Sequence, residues 1–126
     1  MIENDANDAG CIYSFFLKLM NIEELRLQAL VLPDVTEGFS FGDDIIVFKI
    51  TNKVFLLLPL TTEKLQFNVK CDPDMAIELR EKYSCILPGY HMNKKHWNTI
   101  LVDGSLTNKQ LIQFVDDSYY LVKKKK

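Results

Sequence analysis

Ile45-Ile46-Val47-Phe48-Lys49-Ile50-Thr51-Asn52-Lys53-Val54-Phe55-Leu56-Leu57-Leu58 is the stretch on which the reading of the fold turns. Two runs rich in β-branched and aromatic residues flank Thr51-Asn52, a two-residue turn, so the segment predicts a β-hairpin. Downstream, Leu65, Phe67 and Val69 alternate with Gln66, Asn68 and Lys70, predicting a third strand with one buried and one wet face. At Asp72-Pro73 the pattern changes: an N-cap acid precedes a proline at the first helical position, where its missing N–H costs nothing. Ala76, Leu79 and Tyr83 form the core stripe of that helix.

On the N-terminal side, Asn21 and Glu24 have the spacing of a capping box. Ile22, Leu25, Ala29 and Leu32 follow at helical intervals until Pro33 stops the run. Residues 34–44 read as a loop with Gly38 and Gly42 as flexible points. On the C-terminal side, Pro88-Gly89 breaks the chain, residues 96–102 read as a strand and Asp103-Gly104 as a turn. Thr107 or Ser105 then caps a last helix with Leu111, Phe114, Val115 and Val122 as apolar positions. The order helix, three strands, helix, strand, helix predicts an α+β fold, an antiparallel sheet with helices packed on one face. Residues 1–19 differ in composition and are expected to be an appendage, disordered or an upstream start. The domain is expected over 20–122, with 123–126 as a solvated lysine tail.

Composition narrows the function classes. The chain has 126 residues, 48% apolar and 25% charged, the balance of one globular domain. No apolar run approaches the roughly 18–20 residues of a membrane span, and Glu3, Asp5 and Asp8 stand where a signal peptide carries bases. Cys11, Cys71 and Cys85 are too few and too irregular for a disulfide framework, which points to a reducing cytoplasm. The net charge of −2 divides into −7 over residues 1–44 and +5 over 45–126, a split that permits a polyanionic partner.

Reactive side chains are densest in Tyr90-His91-Met92-Asn93-Lys94-Lys95-His96-Trp97-Asn98-Thr99. Two adjacent lysines can meet phosphates, polar side chains can fix register, and Tyr or Trp can stack on an unpaired base. The competing reading makes Trp97 core and the lysines a solvated turn. Cys85, His91 and His96 lack the paired spacing of a zinc site. Asp34, Glu37, Asp43 and Asp44 read as a solvated acidic loop, and Cys71 has no local base to activate it as a nucleophile. With neither a phosphate-binding glycine loop nor a nucleophile elbow, the residues favour a non-enzymatic protein without a cofactor.

Lys70-Cys71-Asp72-Pro73, Leu79-Arg80, the run from Pro88-Gly89 through Thr99, Asp103-Gly104 and Ser118-Tyr119 together resemble the MmcQ/YjbR family, as do Met20 to Arg26, Leu32-Pro33 to Glu37, and Phe41-Gly42. The resemblance spans about residues 20–122. It implies a bacterial, cytoplasmic domain with a CyaY-like α+β fold and a DNA-binding role. Frataxins share that fold, but Glu23 and Glu24 alone are too few for an acidic iron-binding ridge. The implied contact region is the loop of Tyr90, His91, Asn93, Lys94, Lys95, His96 and Asn98. In it Lys94 and Lys95 meet phosphate while Asn93 and Asn98 fix the loop or reach polar edges, with Arg80 or Lys82 approaching from the helix. Four neutralised phosphates would give a slope of about −3.6 in log K against log salt. The alternative is a protein- or small-ligand-binding adaptor in which Tyr90, His91 and Trp97 line a groove.

Overall fold

The computed structural model describes residues 20–89 and 92–124. The hairpin forms as its turn chemistry dictates. Strand β2 (Ile45–Ile50) and strand β3 (Lys53–Pro59) pair antiparallel around Thr51 and Asn52, whose φ values of 46° and 68° are those of a turn matched to strand twist. A register shift beside Phe48 and Lys49 lets the consecutive residues Phe55 and Leu56 both reach the core. Strand β4 (Gln66–Lys70) then joins β3, and helix α2 (Pro73–Lys82) follows, capped by Asp72 at the Met75 N–H.

Helix α1 (Ile22–Leu30) starts in a reciprocal capping box: Glu24 N–H donates to Asn21 Oδ1 at 2.8 Å, and Asn21 N–H to Glu24 Oε1 at 3.0 Å. The last helix, α3 (Asn108–Lys124), starts in another, between Thr107 and Gln110. Ser105 instead closes the preceding turn by donating its N–H to Asp103 Oδ1. The helix runs through Lys123 and Lys124, so these two belong to its last turn, where cations suit the dipole, rather than to a tail. Lys125, Lys126 and residues 1–19 lie outside the described residues.

The sheet has six strands in the order β1-β2-β3-β4-β6-β5, all neighbours antiparallel. Strand β6 is Trp97–Leu101. Two strands were not expected, and both are edges. Strand β1 (Val35–Gly38) lies inside the segment read as a loop, and β5 (Ile86–Pro88) runs through unassigned residues into the break read at Pro88-Gly89. Each is too short for periodicity to register, and Pro88 is tolerated because an edge strand leaves one side unpaired. Strand β1 is held by Arg26, which donates to both carboxylate oxygens of Glu37 at 2.7 and 2.6 Å. Glu37 is therefore a clamp rather than a solvated acid.

One face of the sheet and the helices enclose the main core, with Phe48, Phe55, Phe67, Leu111, Val115 and Tyr119 fully buried. The opposite face is not simply wet: Val47, Leu57 and Trp97 form a second small cluster there, and Asn68 and Thr99 are buried as hydrogen-bonded partners. Ser118 fastens α3 to the sheet. Its hydroxyl donates to Phe55 C=O at 2.6 Å and accepts from Lys70 N–H at 2.9 Å, bridging β3 and β4 beyond their last paired residues. Tyr119 Oη donates to Pro33 C=O at 2.7 Å, joining α3 to the end of α1. Among the described residues no helix is long and apolar enough to cross a membrane.

Ser118→Ala removes the bridge and leaves two backbone groups short of a partner, so unfolding free energy should fall by about 1–3 kcal/mol in urea titration. A change under about 0.5 kcal/mol would show that the strands close without it. The Arg26 hydrogen bond holds the Glu37 carboxyl below its ordinary value. Its stabilisation is thus complete above the unfolded-state pKa and lost as pH falls through the lower folded-state one. Glu37→Gln should flatten the acid side of the stability curve between about pH 5 and pH 2 and barely change its slope above pH 6.

Candidate nucleic-acid interface

The segment 92–97 is a tight loop entering β6, and backbone bonds define it. His96 and Trp97 N–H groups donate to Asn93 C=O at 3.1 and 3.0 Å, and Cys71 N–H donates to His96 C=O at 2.8 Å. Gly89 N–H donates to Trp97 C=O at 2.9 Å. A Cβ at Gly89 would stand 2.8 Å from Trp97 Cβ, so only glycine permits this approach. Asn93 Oδ1 accepts from Lys95 N–H at 3.0 Å, which sets the turn that carries the lysine pair.

Arg80 of α2 ties the loop down. Its Nε donates to Asn98 Oδ1 at 2.6 Å, and its Nη2 donates to the carbonyls of Lys94 and Trp97. This corrects two expectations. Arg80 spends its fork on the protein itself and is not free for phosphate. Asn98, 1% exposed, fixes the loop through Arg80 and cannot reach a base edge. Lys82 also leaves the site: it sits about 200° around α2 from Arg80, and its Nζ lies 5.3 Å from the Tyr83 ring centroid.

Lys94 and Lys95 are exposed, and among the described residues neither has an ion-pair partner. His96 is half-buried beside them. Tyr90 and His91 lie outside the described residues. Lys70, which sequence reasoning did not assign to the site, stands opposite Trp97 in the β4–β6 register, its Nζ 5.8 Å from the indole centroid. Val54, Leu57, Met92 and Trp97 line an adjoining groove of about 500 Å³ that Lys53 and Lys70 also line, with no carboxylate among its described residues.

Catalytic chemistry finds less here. Burial foremost, then Asp72 and Asp117, push the Cys71 thiol up to about 11, so it stays protonated at neutral pH. Among the described residues no group of three or more His, Cys, Asp or Glu side chains is placed to hold a metal ion, and the His91 part of the suggested metal set lies outside them.

Three comparisons bear on the chain. The family model described as YjbR matches residues 30–121. The protein YbdF of Escherichia coli O157:H7 is 36% identical over 100 residues, covering 79% of this chain and 82% of that one. YjbR of Escherichia coli K12 is 29% identical over 100 residues, covering 79% and 85%. Among solved structures, Deinococcus radiodurans DR2400, with family-model domain DUF419, superposes with a TM-score of 0.80 at 36% identity, covering 85% of this chain and 81% of that one. A Pseudomonas syringae protein gives a TM-score of 0.69 at 27% identity, covering 82% and 99%.

Arg80→Ala should release the loop while leaving Asn98 Oδ1 buried without a donor, costing about 1–3 kcal/mol of stability. Faster amide exchange at His96 and Trp97 than in strands β2 and β3 would report the release. Uniform acceleration across all strands would place the loss in the whole fold instead.

Proposed function

The chain belongs to the YjbR family, and we propose that it is a non-enzymatic DNA-binding module that meets the phosphate backbone through Lys94 and Lys95. The observation that carries this reading is the outward placement of the two ammonium groups on a loop whose backbone is fixed from beneath by Arg80. Ordering a loop before binding reduces the conformational entropy lost on binding, so the charges act with less cost. Lys70 extends the positive patch along β4. The second-face cluster around Trp97 gives the patch a rigid apolar support. Phosphate contacts of this kind position a protein on DNA without reading its sequence.

Fluorescence anisotropy with a labelled duplex tests the proposal. Lys94→Glu with Lys95→Glu should weaken binding about tenfold or more at low salt, with the circular dichroism spectrum unchanged. Lys82→Glu, on the far side of α2, should alter affinity by about twofold at most. Undiminished binding in the double variant would overturn the proposal. Retention of an unidentified protein from nuclease-treated lysate, lost in the same variant and accompanied by no duplex binding, would favour the adaptor reading instead.

A further inference from the structure

Between α2 and α3, over β4 and β6, lies a cavity of about 440 Å³ that the lysine loop does not use. Val69, Leu79, Ile100, Phe114 and Leu121 give it apolar walls, and its volume falls in the range of small-molecule sites. Asn98 also lines it and is 1% exposed. Because a guanidinium only donates, the 2.6 Å bond from Arg80 Nε fixes which arm of the Asn98 amide is oxygen. The other arm, Nδ2, is buried and has no acceptor in the structure. An N–H held this way in apolar surroundings is costly until something accepts from it.

The remaining polar lining restricts what that acceptor can belong to. Asp72 and Asp117 line the cavity against a single cation, Lys70, so its charged lining is net negative and disfavours an anion. The Cys71 thiol, protonated at neutral pH, supplies a weak donor and no charge. We propose that this cavity binds a small neutral molecule with an apolar body that presents a carbonyl oxygen to the Asn98 amide N–H, as an ester or amide of a short acyl chain does. The site is independent of the lysine loop's role and stands if DNA binding fails.

Methyl hexanoate is a suitable probe, titrated into ¹⁵N-labelled full-length protein, with hexanoate as its charged counterpart. The expected result is a saturable shift of the Asn98 side-chain amide pair together with the backbone amides of Leu79 and Phe114. Hexanoate should bind about tenfold more weakly or worse. Replacing Asn98 would also strip Arg80 of its partner, so the blocking variant is Met75→Trp, at a half-exposed position lining the cavity. That variant should keep the rest of the spectrum and lose the response. No Asn98 shift up to the probe's solubility, equal binding of hexanoate, or a response that survives Met75→Trp would each overturn the assignment. So would a bound water that keeps its cross-relaxation with the Asn98 amide at the highest probe concentration.

Discussion

The Arg80 guanidinium is the constraint on which the candidate site depends. It serves three acceptors from one planar fork: the Asn98 side chain inside the sheet and the carbonyls of Lys94 and Trp97 in the loop above it. Lysine has no equivalent geometry, because a single ammonium is a compact charge without a planar array of donors. One side chain thereby couples α2, the loop and β6. In these contacts its positive charge is met by neutral dipoles rather than by a carboxylate. The same contact orients the Asn98 amide and so leaves its Nδ2 buried without an acceptor, in a residue that lines the cavity between the helices.

Beneath this, α3 organises the sheet. Ser118 sits where β3 and β4 stop pairing, and Tyr119 packs edge-on against Phe55 at 5.4 Å while its hydroxyl reaches the end of α1. Consecutive residues of one helix thus close a gap in the sheet and anchor another helix. Polar groups in a core specify position because a misplaced hydroxyl leaves buried partners unsatisfied. Lys70, whose N–H donates to Ser118, helps to line both the lysine-lined groove and the cavity between the helices.

Much of this architecture is legible in the sequence because its signals are local. Thr51-Asn52 states its turn, Asn21 with Glu24 and Asp72 with Pro73 state their helix starts, and the Leu65–Val69 alternation states which face is buried. The α+β fold and the YjbR resemblance follow from such features, and the comparisons agree. Strands β1 and β5 were not legible, because three or four residues carry no period and an edge is defined by its neighbour. The role of Arg80 was hidden for a related reason: its partners lie at least 14 positions away. One signal was present and went unused. Asn98 shares strand parity with Ile100 and Val102, so a polar residue faces the core and requires a distant donor.

A salt series on duplex DNA tests the central claim most directly, because it counts phosphate contacts without assuming where they fall. With Arg80 and Lys82 removed from the contact set, Lys70, Lys94 and Lys95 remain. The account then predicts a slope of about −2.7 in log K against log salt, falling to about −0.9 when Lys94 and Lys95 are both changed to glutamine. A slope near zero, or one that both substitutions leave unchanged, would contradict it.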